Sequence, residues 1–241
     1  MNCRFANKVS FAAAAGRVLA LASHRAEADE HIELALGVNP TVLQDEAYEA
    51  FSGTDLAYTR FGADARFEVV DLGKGIRLVP LIAYRFGYDN GGLYDFLDNR
   101  IKMHDFLVGL RLRGWFVSWF GVFVEAQGGL FWAQTQMTIE SGTTGTASRD
   151  RYHDSSLTWC AGGLGGLEFR LSPRWLARRG VRRFGFGVEL GAGYLRRGDL
   201  EMEPRVAGAD EHAIPLAQGP SFGSLNLSGW SVQAAVSFSF L

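Results

Sequence analysis

Apolar and polar residues take turns along most of this chain, and that alternation constrains its fold more than any other feature. A period of two is the mark of a β-strand whose two faces meet different surroundings. From His31 onward eight stretches show it. The first, 31–39, sets Ile32, Leu34, Leu36 and Val38 against Glu33, Gly37 and Asn39. The second, 56–70, sets Phe61, Ala63, Ala65, Phe67 and Val69 against Arg60, Asp64, Arg66 and Glu68. In 76–88, Ile76, Leu78, Ile82, Tyr84, Phe86 and Tyr88 oppose Arg77 and Arg85; in 104–113, Phe106, Val108, Leu110 and Leu112 oppose Asp105, Arg111 and Arg113. The second half repeats the scheme. Phe120 to Trp132 carries Glu125 and Gln127 on its polar face, Leu157 to Leu171 carries Glu168 and Arg170, and Phe184 to Tyr194 carries Glu189 among glycines. Trp230 to Phe240 closes the set with Ser231, Gln233, Ser237 and Ser239. No helical period competes, so the expected fold is all-β: an antiparallel up-and-down barrel of about eight strands.

The charges decide which face points inward. Seven acids (Glu33, Asp64, Glu68, Asp105, Glu125, Glu168, Glu189) share the polar faces with seven arginines (Arg60, Arg66, Arg77, Arg85, Arg111, Arg113, Arg170). In a membrane barrel this set fills the lumen as an ion-pair network, because buried charge is costly unless paired. In a soluble barrel it faces water, and the apolar side becomes a core or a lipid-binding cavity. Two patterns favour the membrane. Aromatic residues gather at the ends of the apolar faces: Tyr84, Tyr88, Trp132, Trp159, Tyr194 and Trp230 toward one rim, Phe67, Phe169, Phe184, Phe238 and Phe240 toward the other. Such girdles mark the two water interfaces of outer-membrane barrels. Connections also alternate, short after strands two and four and long after one, three, five and seven, as short periplasmic turns and long extracellular loops do. The gap after strand six, 172–182, fits this least well.

Composition agrees. Mean hydropathy is 0.00, with 30 glycines against 6 prolines and 13% aromatic residues. Beyond the first residues no stretch reaches the roughly 18–20 apolar positions of a membrane helix. A net charge of −2 and a pI near 6.2 give no reason to expect nucleic acid as a partner. Residues 1–26 resemble a signal peptide: Arg4 and Lys8, an apolar run, and A-x-A cleavage patterns ending at Ala22 or Ala28, with cleavage expected near Ala22 or Ala26. Gly16 and Arg17 interrupt that run, and a misassigned start codon or a short soluble helix are the other readings. Residues 27–241 are then the barrel, exported to a Gram-negative outer membrane.

The closing stretch, Trp230-Ser-Val-Gln-Ala-Ala-Val-Ser-Phe-Ser-Phe-Leu241, resembles the terminal strand of OmpA-like outer-membrane barrels. In that superfamily an alternating strand with a terminal aromatic is read by the assembly machinery; here Phe240 is penultimate and Leu241 last. The resemblance implies a bilayer-embedded barrel, with lipid and lipopolysaccharide around it.

No motif establishes a reaction. Gly185-Phe-Gly187-Val-Glu-Leu-Gly191 has the wrong spacing for a dinucleotide fingerprint and reads as a strand face kept small. His153 and Ser155 share one strand face and echo the His/Ser pair of small barrel deacylases, without a third group to orient the histidine. Loop carboxylates (Asp45, Glu46, Glu49, Asp95, Asp98, Glu201, Glu203, Asp210, Glu211) lack calcium-loop spacing. Cys160 has no cysteine partner beyond the leader's Cys3. No metal or cofactor is expected. The expected role is structural or surface-interacting, carried by the long loops. A narrow pore, a periplasmic small-ligand or lipid carrier, and a lipid A hydrolase using His153 and Ser155 are the alternatives.

Overall fold

The computed structural model describes residues 31–45, 48, 57–68, 70–73, 75–93, 97–141, 148–171, 184–201, 205–206 and 224–240. Eight long strands follow in chain order: β1 (His31–Leu43), β2 (Ala57–Glu68), β3 (Ile76–Leu93), β4 (Leu97–Val117), β5 (Phe120–Ser141), β6 (Ser148–Arg170), β7 (Phe184–Arg197) and β8 (Gly229–Phe240). Each pairs antiparallel with the next, and β8 pairs with β1, so the sheet closes on itself. Closure leaves no sheet edge, the condition a sheet must meet to cross lipid.

The registers give the barrel's dimensions. Stepping across paired residues from Trp159 leads through Leu130, Phe106, Tyr84, Ala63, Leu36, Val236 and Val188 to Phe169, on the starting strand but ten residues lower. A shear of ten over eight strands tilts them by roughly 40° and sets a backbone radius of about 8 Å. From Trp230 to Phe240 the outer wall then spans roughly 25 Å along the axis, the height of the apolar band of outer-membrane barrels.

The wall is inside out relative to a soluble protein. Leu34, Leu36, Phe61, Ile82, Phe106, Leu110, Val124, Leu130, Leu167, Leu190 and Val232 are exposed on the outer face, while Glu33, Arg66, Arg85, Arg111, Arg113, Glu125 and Glu189 are buried inside. Tyr84, Tyr88, Trp159 and Trp230 ring the upper end of the band, with Trp132 and Tyr194 half-buried among them. Phe240 and the half-buried Phe238, Phe67 and Phe169 ring the lower end. Phe116 and Trp119, in and beside the tight β4–β5 turn, extend that lower ring beyond the 104–113 span that the alternation marks. At the β2–β3 turn, Gly73 and Gly75 have φ of 83° and 77°, left-handed conformations suited to glycine, and the Gly73 amide donates to Asp71 Oδ1 at 2.7 Å.

Two of the expected long loops need correcting. β3 and β4 continue as a paired ribbon to Leu93 and Leu97, leaving three connecting residues; β5 and β6 run to Ser141 and from Ser148, leaving six. Their polarity reverses on leaving the apolar band. On β4, Phe106 and Val108 face out below, but Lys102 and Arg100 face out above, with Met103 and Ile101 inward. On β5, Gln134 and Gln136 face out above Leu130, while Phe131, Ala133 and Met137 face in. Above the apolar band the barrel thus has the ordinary polarity of a soluble protein. Its inner side forms an apolar cap from Ile101, Met103, Phe131, Ala133, Leu43 and Tyr48, closed over by Leu200, Leu225 and Leu227. Two short pieces hold that cap, Leu200–Glu201 paired with Ser224–Leu225. Arg205–Val206 adds to β6 at His153 and Tyr152.

The leader, residues 1–26, and the basic run 174–183 lie outside the described residues, as do Glu46, Glu49, Asp95, Glu203, Asp210 and Glu211.

Candidate functional site

Inward positions of all eight strands meet in the lumen, where charge is arranged in two storeys. The lower one brings together six acids and six arginines. Arg66, on β2, donates to Glu33 Oε1 at 2.6 Å and Asp64 Oδ2 at 3.0 Å, and grips both oxygens of Glu189 across the barrel. Arg111 bridges Glu125 (2.9 Å) and Glu189 (2.8 Å). Arg113 reaches Glu33 at 2.9 Å and Glu68 at 2.7 Å, with its Nε in ion contact with Glu168 at 2.6 Å. Arg170 joins Glu33 (2.7 Å) to Glu168 (2.9 Å), and Arg77 caps Glu68 from the lower rim at 2.5 Å. Arg85 donates to Gln127 at 2.8 Å and to Asp64 at 3.5 Å. Every acid has a guanidinium within ion-pair distance, and the formal charges cancel.

The upper storey is smaller and not neutral. Asp105 takes Arg60 at 2.6 Å on one side and a forked contact from Arg197 at 3.0 and 3.1 Å on the other. Arg60 also donates to Thr41 Oγ1 (2.9 Å) and Ser231 Oγ (3.2 Å), and Arg197 to the Leu227 carbonyl (2.5 Å). Arginine suits both storeys because its planar fork bonds several acceptors at fixed angles.

Aromatic rings and glycines shape the space. The guanidinium of Arg111 lies 3.9 Å from the Phe123 ring centre, Arg197 4.4 Å from Phe131 and Arg170 4.6 Å from Trp115. A Cβ on Gly166 would come within 2.7 Å of the Phe123 ring tip, and one on Gly87 or Gly62 within 3.0 or 3.2 Å of the Arg60 or Arg85 stem. The Arg60 and Arg85 stems take the room at Gly87 and Gly62, while at Gly166 the Leu190 carbonyl oxygen, 2.3 Å from that Cβ, takes it together with the Phe123 ring. Between the storeys, a cavity of about 10 Å³ is lined by Asn39, Arg60, Arg85, Gln127, Ser231 and Gln233, among others. That is space for a single water. Gln233 Oε1, which faces no donor among the described residues, lines it. Glu33, Glu168 and Glu189 bring carboxylate oxygens within 4.8 Å of one another, but Arg66, Arg113 and Arg170 already lie against them, supplying the positive charge a metal ion would bring.

The cap above is tied down by Tyr48, whose hydroxyl donates to the Asp89 carboxylate. Burial, with that carboxylate beside it, pushes the phenol's pKa above its ordinary value, so Tyr48 stays a donor. Asp45 Oδ2 accepts the Asn226 amide at 2.8 Å, binding the β1 end to the segment before β8.

Arg60, Asp64, Arg66, Glu68, Arg77, Arg85, Arg111, Arg113, Glu125, Glu168, Arg170 and Glu189 therefore all converge in the lumen, together with Glu33 and Asp105. Arg197 was missed. The apolar alternation marks the seventh strand only as far as Tyr194, but counting by twos from Glu189 leads to Arg197 on the inner face. His153 and Ser155 lie exposed on the outer face of β6, above Leu157 and Trp159. Among the described residues no hydrogen bond joins them and no carboxylate orients the histidine. The Ser155 backbone amide donates to Asp154 Oδ1 at 2.7 Å. Cys160 is buried in the lumen wall as a free thiol.

No family model matches this sequence, and no curated protein is similar to it. Among solved structures, the attachment invasion locus protein of Yersinia pestis is similar at 10% identity and a TM-score of 0.46, over 88% of this chain and all of that one. Neisserial surface protein A is similar at 9% identity and a TM-score of 0.42, over 88% and 97%. The N-terminal barrel domain of Pseudomonas aeruginosa OprF is similar at 11% identity and a TM-score of 0.30, over 88% and 98%. At this level the likeness carries nothing about function.

Proposed function

We propose that this chain is a non-enzymatic outer-membrane barrel with a closed lumen, whose work is done by the surface it holds above the bilayer. One observation carries the reading: an outer wall apolar over roughly 25 Å surrounds a lumen whose buried charges are paired. A soluble carrier would need the opposite arrangement, its apolar side inward around a ligand cavity. The cavity lined by Arg60, Arg85 and Gln127 holds about 10 Å³, far below the hundreds of cubic ångströms of a ligand pocket. A diffusion pore would need an open path past Arg66, Arg111 and Arg113, all fully buried. The apolar cap and the paired ribbons make the upper end a rigid platform, and rigid platforms suit adhesive or interaction roles better than mobile loops do. The outward placement of His153 and Ser155, with no orienting acid among the described residues, argues against a hydrolase.

The test is membrane fractionation followed by electrophoresis of unboiled and boiled samples. Recovery with the outer membrane and a heat-dependent mobility shift is the expected result. A soluble periplasmic protein with no shift overturns the reading.

A further inference from the structure

Three successive outward positions of β4, just at and above the upper aromatic ring, are basic: His104, Lys102 and Arg100. Lys102 is one of three lysines in the whole chain. His104 sits at ring level: its Nδ1 is 2.8 Å from the Tyr84 hydroxyl and its imidazole stacks on Trp132 at 5.1 Å. That leaves Nε2 as its second polar atom. At two residues per step and a tilt of roughly 40°, Lys102 stands about 5 Å higher and Arg100 about 10 Å higher. Both are exposed. The registers supply their neighbours on the same face. Lys102 lies between Tyr88 and Gln134, and Arg100 between Asn90 and Gln136. None of these is acidic, and all but Tyr88's ring offer hydrogen-bonding amides. The nearest acid on this face of β4 is Asp98, one position further up, between Gly92 and Thr138. Below the ladder the wall turns apolar at Phe106, Val108 and Leu130.

We propose that this face of the β3–β5 ribbon docks an outer-leaflet lipid that carries a phosphomonoester on a sugar, its acyl chains lying along Phe106, Val108 and Leu130. The inference rests on the membrane reading above and names one partner within it. Charge complementarity chooses the occupant. A phosphomonoester carries close to two negative charges and takes charge-assisted bonds from Lys102 and Arg100, whose long stems reach down along the wall to the headgroup level. The amides of Asn90, Gln134 and Gln136 suit the hydroxyls and amides of a glycan. A phosphodiester lipid, with one charge and no sugar amides, leaves half of these groups unused.

The experiment is native mass spectrometry of the full, detergent-solubilised barrel titrated with lipid A, beside Arg100→Gln/Lys102→Gln. The competitors are dephosphorylated lipid A, phosphatidylglycerol and inorganic phosphate. Wild type is expected to retain one lipid A, and the double variant to bind it about 30-fold more weakly, each basic group near a membrane surface being worth roughly a factor of five. Dephosphorylated lipid A and inorganic phosphate are expected not to compete. Equal binding by the variant overturns the proposal, and so does competition by phosphatidylglycerol at equal concentration, which would make the face a general anionic contact. Both side chains lie outside the lumen, so the variant keeps the heat-dependent gel shift. A wild type without that shift would instead mean that the membrane reading itself has failed.

Discussion

Replacing Asp105 isolates what one buried carboxylate does for this barrel. It is fully buried, and it is the ion-pair partner of two arginines, Arg60 and Arg197, that are themselves at most 2% exposed. Asp105→Asn keeps the shape but removes the charge. Beside the asparagine oxygen, Arg60 then keeps, among the described residues, the Thr41 and Ser231 hydroxyls and Arg197 the Leu227 carbonyl, all neutral acceptors. Removing one partner of a buried pair costs about 3–5 kcal/mol, since the remaining charge stays desolvated. Those neutral acceptors and the asparagine oxygen put Asp105→Asn near the lower end, about 3 kcal/mol, and Asp105→Ala near the upper, about 5 kcal/mol. The assay is urea unfolding in detergent micelles, followed by tryptophan fluorescence and by the fraction migrating as folded barrel. The midpoint should fall while the slope holds, as for a loss of stability without a change in compactness. A third variant separates charge from packing: Arg60→Met/Asp105→Leu/Arg197→Met removes all three and should lie within about 1.5 kcal/mol of wild type. A cost below about 1 kcal/mol for Asp105→Ala would refute the reasoning, because it would mean that water already solvates the arginines.

Leu110→Arg, on the outer wall midway between the aromatic rings, should destabilise the lipid-inserted barrel by about 2–4 kcal/mol, whereas Gln136→Arg, above the upper ring, should cost almost nothing; equal effects in vesicle refolding would contradict the assigned membrane level. Gly129→Ala would place a Cβ 1.9 Å from the Phe106 carbonyl oxygen, a clash with backbone rather than with a side chain that can swing away. Its folded yield from denaturant should drop sharply, and wild-type yield would mean that β4 and β5 pair otherwise. His153→Ala and Ser155→Ala should leave the acylation state of lipid A unchanged in the producing cells, and loss of a deacylated species in either variant would restore a catalytic role.

The faces of the eight strands were legible in the sequence because alternation is local: whether Arg66 points with Asp64 and Glu68 or with Phe67 needs no knowledge of the other strands. Charge balance then told the inside from the outside, since acids and arginines on one face can be buried only against each other. Pairing partners were not legible. That Arg66 meets Glu189, 123 residues away, follows from a shear of ten, which only closure sets. The strand tops were lost for a different reason. Where β4 and β5 leave the apolar band, Met103 and Ile101 turn inward and Lys102 and Arg100 outward, so the polarity that had marked the strand inverts and reads as its end. Arg197 disappears in the same way, three residues past Tyr194, where Leu195 turns inward and Arg196 outward. The apolar cap combines Tyr48, Leu200, Leu225 and Leu227 from distant connections whose sequence has no period at all.

The central claim is that paired charge closes the lumen, and conductance tests it most directly. Purified barrel in a planar bilayer, with insertion confirmed by protease protection in parallel vesicles, should give no channel steps above the baseline. Steady single-channel currents of porin size from the inserted wild-type protein would contradict the account, for ions could pass only if the Arg66, Arg111 and Arg113 pairings to Glu33, Glu189 and Glu68 were open.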